Sequence, residues 1–280
     1  MDFNTLDKQM RRFEQSLDRT MLEGIYVVVK LDGHGFTRLT KKEWDLEKPF
    51  DIRFRDAMIE TTKHLMDCGF RIIYGYTQSD EISLLFNLND NTFGRKGRKL
   101  VSILAAEASV AFTMHTGKHA IFDCRLIPLP IVNHVVDYFR WRQEDAHRNS
   151  LNSHCYWALR KDGVSANEAQ KRMSGISNSK KNEILFERGV NYNDLPSRQK
   201  RGIGLFYRNE QRQGFNPITK ETTSYTRRAL HVEIELPIGQ EYSKFLYTIL
   251  EDMNKENFTR TTPAVPCCSA YQSNSRQWQR

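Results

Sequence analysis

This 280-residue sequence predicts a mixed α/β fold, built on a split β-α-β-β-α-β unit with helical and small β additions. Over the first 130 residues, short runs of β-branched and aromatic residues alternate with segments of helical periodicity. The composition changes after Pro128 and Pro130, where a long helical pattern begins. A composition that is 39% apolar and 11% aromatic is enough to build a core, which argues against a disordered chain.

The first half of the chain contains the elements of this unit in order. Apolar residues at spacings of three and four predict an amphipathic N-terminal helix over residues 3–17. Gly69 ends a later helix, in the position where glycine is common. The predicted elements are a strand near 25–31, a helix at 51–68, strands near 70–76 and 82–88, a helix at 100–114 and a strand near 120–127.

The second half of the chain predicts a helical extension with small strands. Residues 131–190 have helical periodicity and are followed by a loop at 191–196. Further elements are predicted as short strands around a turn at 213–217, a strand near 230–236 and a helix near 240–254. We therefore expect three regions: a first domain at residues 1–130, an extension packed on it at 131–257, and a flexible tail at 258–280.

Two acids lie where apolar strands meet turns. Asp32 ends the first predicted strand, and Asp80 begins the third. In the split β-α-β-β-α-β arrangement these strands are adjacent and antiparallel, so the two acids should meet although about fifty residues separate them. Two carboxylates with the Gly33 carbonyl suit two Mg²⁺ ions over a phosphate, which favours phosphoryl or nucleotidyl transfer. The alternative is that both acids cap turns.

The segment after the first acid is a loop with two glycines. Gly33 and Gly35 are two residues apart, a spacing that lets backbone amides converge on phosphate oxygens, but the pattern alone is weak and also fits an ordinary turn. Phe36 is a candidate base-stacking residue, with a place in the core as the alternative. Lys30 and Lys48 are candidates to neutralise a triphosphate, with solvated surface positions as the alternative.

The charge of the chain favours an anionic partner. A formal net charge of +8 and a pI near 9.2 suit nucleic acid or nucleotide phosphates. The segment WRQEDAHRN (141–149) is rich in basic and aromatic groups, and its Arg142 and His147 are candidates to contact phosphates or bases. A salt-bridged helix is the alternative. No GxSxG or Cys–His signature indicates a serine or cysteine nucleophile.

Cysteine usage predicts a reducing, cytoplasmic location. The five cysteines include no CxxC pair, which disfavours a zinc site. The N-terminus has no basic region followed by an apolar core, so we expect no signal peptide. The longest apolar run, residues 25–29, is far shorter than the ~20 residues that span a bilayer, so no membrane partner is expected.

Five motifs in series resemble the tRNA-histidine guanylyltransferase family, including its bacterial and archaeal "like" members. They are YVVVKLDGHGF (26–36), GYTQSDEIS (75–83), FDCR (122–125), DYFRWRQ (137–143) and KNEILF (181–186). Together they span about residues 20–210 in the order that the family shows. One such motif would be weak, whereas five in order are highly specific.

The resemblance implies a polymerase-palm-like domain that works in the 3′-to-5′ direction. The 3′-hydroxyl of an incoming nucleotide attacks an activated tRNA 5′ end and releases pyrophosphate or AMP, and a 5′-monophosphate is first adenylylated with ATP. The positions that match catalytic residues are Asp32, Asp80 and Glu81, and those that match Mg²⁺ ligands are Asp32, Gly33 and Asp80. The positions that match GTP-binding residues are Asp32, Gly33, His34, Gly35, Phe36, Thr37, Lys48, Ser79 and Asp80.

The resemblance also implies tRNA handling and oligomerisation. His147, Lys181 and Asn191 or Asn193 match positions tied to tRNA, and the family forms dimers of dimers. The segment HRNSLNS (147–153) stands where eukaryotic members tend to read HINNLYN. This departure fits the "like" branch, which repairs 5′-truncated tRNAs with the opposite strand as template.

Two other functions fit parts of the pattern. A palm-fold nucleotide cyclase shares the paired acids but needs no RNA surface, and it would make a cyclic product from GTP or ATP alone. A non-catalytic RNA-binding protein shares the basic charge, and it would not lengthen tRNA in the presence of Mg²⁺ and GTP.

Overall fold

The computed structural model describes residues 1–215 and 222–259, and it confirms the α/β class and the palm-like sheet. Six strands form one antiparallel sheet in the order β4-β1-β3-β2-β5-β6. The strands are β1 (Tyr26–His34), β2 (Ile72–Gln78), β3 (Glu81–Phe86), β4 (Ile121–Leu129), β5 (Ile203–Phe215) and β6 (Thr222–Glu233). The first four have the order expected of the split β-α-β-β-α-β unit.

Helices cover both faces of the sheet. They are α1 (Phe3–Glu14), α2 (Phe36–Arg38), α3 (Ile52–Asp67), α4 (Gly97–Thr116), α5 (Val132–Lys161), α6 (Ala166–Met173), α7 (Asn178–Phe186), α8 (Ser197–Lys200) and α9 (Gly239–Thr259). A wide π turn, Leu39–Glu43, continues α2, and single 3₁₀ turns lie at Thr92–Arg95 and Tyr192–Asp194. Among the described helices, none is long and apolar enough to cross a membrane.

The apolar runs of the central strands are continuous because both of their faces are buried. In β1, Val27 and Val29 join the core formed with α3 and α4, whereas Tyr26 and Val28 join the core formed with α5 and α9. Alternate residues of a strand point to opposite faces, so a strand buried on both sides reads as an unbroken hydrophobic run. This two-sided burial holds the end of β1, and therefore Asp32, in a fixed position.

The C-terminal strands are longer than the short strands predicted around a turn at 213–217. β5 and β6 form one long antiparallel hairpin, and the predicted strand near 230–236 is largely the end of β6. Residues 203–206 of β5 pair with β2, so the hairpin extends the sheet of the first domain. The tip of the hairpin at 216–221 and the predicted tail from 260 onward lie outside the described residues.

The N-terminal helix forms as predicted, but its apolar stripe is exposed. Phe3 is 77% exposed and Phe13 is 68% exposed, and no side chain of α1 is buried. Asp18, just beyond the helix, pairs with Arg98 of α4 and so ties this region to the body. Periodicity therefore identified the helix but did not show whether its apolar face is covered.

Candidate active site

The predicted meeting of Asp32 and Asp80 follows from the β1–β3 ladder. Asp32 is the residue opposite Glu81, the first residue of β3. One step further, the backbone N–H of Gly33 donates to the carbonyl of Asp80 at 3.0 Å. In an extended strand the N–H and C=O of one residue point the same way, so the Gly33 carbonyl also faces the Asp80 turn. The two acids and this carbonyl therefore lie at one end of the sheet.

Asp80 lies in the turn between β2 and β3 rather than in the strand. Gln78 pairs with Glu81, which leaves Ser79 and Asp80 as a two-residue connection. Ser79 has a positive φ of 50°, which is uncommon for a residue with a side chain, and its Oγ donates to Asp80 Oδ1 at 3.0 Å. Such local backbone strain is often found at functional sites.

The electrostatics of Asp80 suit a bound cation. Burial raises the pKa of Asp80, and the charges of Asp32 and Glu81 add to the rise. The described residues contain no group of three or more His, Cys, Asp or Glu side chains that could hold a metal ion. The candidate donors are the carboxylates of Asp32 and Asp80 and the carbonyl of Gly33, all hard oxygen ligands. So few protein donors fit Mg²⁺, which usually keeps waters and substrate phosphates in its shell.

Glu81 is held differently from the two aspartates. Its Oε1 accepts from Lys30 Nζ at 2.7 Å and its Oε2 accepts from Arg142 Nη2 at 2.7 Å. Lys30 also lies 3.5 Å from Asp32 Oδ2. Lys30 is therefore engaged with the acids on its own sheet, and the structure does not support its role as a free triphosphate-neutralising side chain.

Arg142 occupies a different place from the one the sequence suggested. Its side chain is only 5% exposed, and its guanidinium joins Glu81 to Asp145 of its own helix, α5. The face of Trp141 covers it at 4.6 Å from the ring centroid. A buried guanidinium held by two carboxylates supports the acidic site from inside the protein, so the predicted RNA contact of Arg142 is corrected.

Phe36 is a core residue, which corrects the base-stacking prediction. It is 2% exposed and packs edge-to-face on Phe54, Phe112 and Phe122. A Cβ on Gly33 would lie 2.5 Å from the Phe36 ring. The glycine is therefore required by this close packing. The left-handed φ of 74° at Gly35 then turns the chain into α2.

A cleft of about 350 Å³ opens beside Asp80, in the range of small-molecule sites. It includes Phe36, Thr37, Lys48, Ser79 and Asp80 of the predicted nucleotide residues, whereas Asp32, Gly33, His34 and Gly35 do not line it. The sequence analysis did not identify several other lining residues, among them Lys41, Arg55, Ser153, Trp157, Arg198 and Gln199. The last four come from α5 and α8, and of these only Ser153 lies in a segment that the sequence analysis singled out, residues 147–153.

Lys48 lies at the cleft but points its charge at the protein. Its Nζ donates to the Thr40 carbonyl at 2.5 Å and lies 5.9 Å from the centroid of the Trp157 ring. Burial lowers the pKa of Lys48. An anion in the cleft would offer this ammonium a stronger partner than a neutral carbonyl.

Comparison with known proteins identifies the family. A sequence profile for tRNAHis guanylyltransferase matches residues 7–130, and a profile for the Thg1 C terminal domain matches residues 133–239. The chain belongs to the tRNA-histidine guanylyltransferase family. Members are nucleotidyltransferases, which confirms the predicted enzyme class. The tRNA(His) guanylyltransferase of Debaryomyces hansenii is 34% identical over 209 residues, which cover 70% of this chain and 78% of that protein.

Solved structures of guanylyltransferase relatives share the fold. A bacterial tRNA(His) guanylyltransferase (Thg1)-like protein in complex with ATP superposes with a TM-score of 0.69 and 27% identity, covering 87% of this chain and 97% of that chain. The complex of a bacterial Thg1-like protein with GTP gives a TM-score of 0.66 and 27% identity, covering 88% and 99%. Both relatives therefore share nearly their whole length with this member of the family.

The predicted RNA-handling residues lie around Tyr192, next to α5 in the C-terminal half of the chain. The His147 ring packs edge-on against Tyr192 at 5.3 Å, and burial lowers the pKa of His147. Asn191 and Asn193 flank this tyrosine, and the Asn191 side chain accepts from the Asn193 N–H. Lys181 lies on α7, where its carbonyl accepts from Cys155 Sγ of α5 at 3.2 Å.

Proposed function

We propose that this protein is a Mg²⁺-dependent 3′-to-5′ nucleotidyltransferase that adds nucleotides to the 5′ end of tRNA. The additions are GMP from GTP, or NMPs chosen by a template strand. The observation that carries the proposal is the placement of Asp32 and Asp80 at one end of the β1–β3 ladder, beside a cleft of nucleotide size. Membership of the guanylyltransferase family supports the tRNA substrate.

Two Mg²⁺ ions would be held by the carboxylates of Asp32 and Asp80 and by the Gly33 carbonyl. Bound there, magnesium lowers the pKa of an attacking hydroxyl and neutralises charge on phosphate oxygens. Burial, with smaller contributions from the charges of Asp32 and Glu81, raises the pKa of Asp80, and a cation bound beside it would favour its charged form. Each Asp binds through hard oxygen atoms and leaves room for substrate phosphates.

The incoming nucleotide would occupy the cleft beside Asp80, lined by Phe36, Thr37 and Ser79, with His34 and Gly35 in the adjoining part of the loop. Lys48 would turn from the Thr40 carbonyl to the triphosphate. Lys41, Arg55 and Arg198 add positive charge to the same cleft. The ATP and GTP complexes of the bacterial relatives support the use of both nucleotides, ATP for adenylylation of a 5′-monophosphate and GTP for addition.

The tRNA would lie against the surface formed by α5, α7 and the Tyr192 turn. His147, Lys181, Asn191 and Asn193 are the residues we assign to it. The segment at 147–153 supports placement in the "like" branch and therefore the repair of 5′-truncated tRNAs.

We propose three regions: a first domain at residues 1–130, an extension at 131–257 that continues its sheet, and a tail at 258–280. The family profiles, which divide between residues 130 and 133, support the first boundary. We propose a homo-oligomer, with the dimer of dimers that the family resemblance implies, and the exposed apolar side chains of α1 support an interaction surface there. A cytoplasmic location is supported by the free thiols of Cys68, Cys124 and Cys155.

The test supplies purified protein with Mg²⁺, each NTP in turn, and either tRNA-histidine or a tRNA lacking its first nucleotide. Extension of the truncated tRNA by the nucleotide that pairs with the opposite strand supports templated repair, and one G added to intact tRNA-histidine supports untemplated guanylylation. A parallel reaction without RNA tests for a cyclic nucleotide. No lengthened tRNA under any condition would contradict the proposed function.

A further inference from the structure

The carboxylate of Glu81 has both oxygens engaged by basic side chains, unlike the carboxylates of Asp32 and Asp80. Lys30 holds Oε1 and Arg142 holds Oε2, each at 2.7 Å. Lys30 in turn lies 3.5 Å from Asp32. A chain of alternating charges therefore runs from Asp32 through Lys30 and Glu81 to Arg142.

The Arg142 end of this chain is the least exposed part. The Arg142 side chain is 5% exposed, against 13% for Lys30 and 21% for Glu81. The Asp145 carboxylate also accepts from Nη2 of Arg142, at 2.8 Å. Asp145 is in turn paired with Arg148, an exposed residue of α5. Arg142 is thus the single described side chain that ties the acids of the sheet to helix α5 through an ion pair.

We propose that Arg142 is a positioning residue for nucleotide transfer. It holds Glu81 against Lys30, keeps Lys30 beside Asp32, and keeps Glu81 out of the space in front of Asp32 and Asp80. This inference rests on the proposed function and adds a residue that does not touch the substrate. It also refines the assignment of Glu81, which was predicted as a catalytic residue and here acts through Lys30.

The physical reason is the high cost of an unpaired buried charge. Without Arg142, Oε2 of Glu81 loses its donor, and a poorly solvated carboxylate moves until it finds another partner. The nearest alternatives are Lys30 alone or a Mg²⁺ ion that Asp32 and Asp80 would hold. Either movement changes the charge and geometry at the acid pair while leaving the nucleotide cleft intact.

The experiment compares Arg142→Met, Arg142→Lys, Glu81→Gln and the Glu81→Gln/Arg142→Met double variant by kcat and KM for GTP. We expect Arg142→Met to lower kcat at least about 10-fold with KM changed less than about 3-fold, and Arg142→Lys to lower kcat less. Because Arg142 acts through Glu81, the double variant should lose no more than the worse single variant. A double variant whose loss of kcat equals the product of the two single losses would overturn the proposal. A kcat for Arg142→Met within 2-fold of wild type would also overturn it.

Arg95→Lys is the matched control for Arg142→Lys. Arg95 is also 5% exposed, but its partners are backbone carbonyls, including those of Met21, Ile25 and Leu88, at the opposite end of the sheet. We expect this control to lower Tm without lowering kcat. An equal loss of kcat in both Lys variants would show that any buried arginine has this effect and would overturn the proposal.

A second measurement requires no turnover and separates this inference from the proposed function. The rise in Tm caused by Mg²⁺ alone is measured for wild type and each variant, because the proposal places the effect at the acid pair and not in the nucleotide cleft. Arg142→Met should lose at least half of this rise, whereas Arg95→Lys should keep it. A wild type that shows the rise but adds nothing to tRNA would contradict the proposed function alone. A full rise in Arg142→Met would contradict the positioning role alone.

Discussion

The backbone N–H of Gly33 donates to the Asp80 carbonyl at 3.0 Å, which joins the end of β1 to the turn that precedes β3. This bond fixes the Asp80 turn relative to Asp32, one residue before Gly33. The Phe36 ring leaves no room for a Cβ at Gly33, so no residue with a side chain fits there unless the ring moves. The acid pair is therefore fixed by the sheet on one side and by the aromatic core on the other.

Asp80→Asn should stabilise the protein in the absence of metal. Burial, with the nearby charges of Asp32 and Glu81, raises the pKa of Asp80 above its ordinary value of 3.8. An acid with a raised folded-state pKa costs stability above that pKa, and the cost vanishes as the pH falls below 3.8. Thermal unfolding in EDTA should give the variant a higher Tm at pH 7.5, by on the order of 2–4 °C, and the gain should shrink toward pH 4. A lower Tm than wild type across this range would contradict the burial of an uncompensated charge.

Phe36→Ala should destabilise the fold, whereas Phe36→Leu should be tolerated better. Deleting a buried Phe side chain costs about 3–5 kcal/mol, and leucine keeps most of the apolar volume. Denaturant unfolding measures both changes. For the leucine variant we expect a KM for GTP within about 2-fold of wild type, because the ring packs in the core and does not stack on a base. A large rise in KM with unchanged stability would instead indicate base stacking.

Lys48→Ala should weaken nucleotide binding. A hydrogen bond to a charged group contributes about 1.5–3 kcal/mol, so KM for GTP should rise about 10-fold or more. Lys42→Ala is the matched control, because Lys42 is an exposed lysine nearby that does not line the cleft. Steady-state kinetics with saturating tRNA gives both values. Equal KM values for the two variants would remove Lys48 from the nucleotide site.

Lys181→Ala should weaken tRNA binding more than Lys180→Ala. The two lysines are neighbours on α7, but Lys180 is already paired with Glu183 at 2.8 Å. If Lys181 contacts a phosphate, its loss reduces the slope of log affinity against log salt by about 1. Binding of labelled tRNA at several salt concentrations measures this slope. An unchanged slope for Lys181→Ala would place the RNA elsewhere.

The positions of Asp32 and Asp80 could be predicted because they depend on topology. Strand runs and turn residues identify the β-α-β-β-α-β order, and that order makes the first and third strands neighbours. Strands around a turn at 213–217 were predicted, but the addition of the β5–β6 hairpin to the sheet was not, because the pairing of β5 with β2 is a contact between distant segments that no local pattern encodes.

The roles of Arg142 and Phe36 depended on partners that the sequence does not place. An arginine between Trp141 and Gln143 is typical of a surface position, and its burial here depends on Glu81 of the distant β3 strand as well as on Asp145 of its own helix. Phe36 follows a glycine loop, and its place in the core depends on rings from α3, α4 and β4. Likewise, the exposed face of α1 could be recognised as apolar but not as uncovered.

The most direct test of the central claim measures nucleotide addition and tRNA binding by Asp32→Ala and Asp80→Ala. Asp67→Ala, at the exposed C-terminal end of α3, is the control. Both site variants should add nucleotides at less than about one-thousandth of the wild-type rate while binding tRNA with nearly wild-type affinity, because Mg²⁺ supplies the transition-state charge. Asp67→Ala should retain activity. Normal turnover in either site variant would contradict the shared magnesium site.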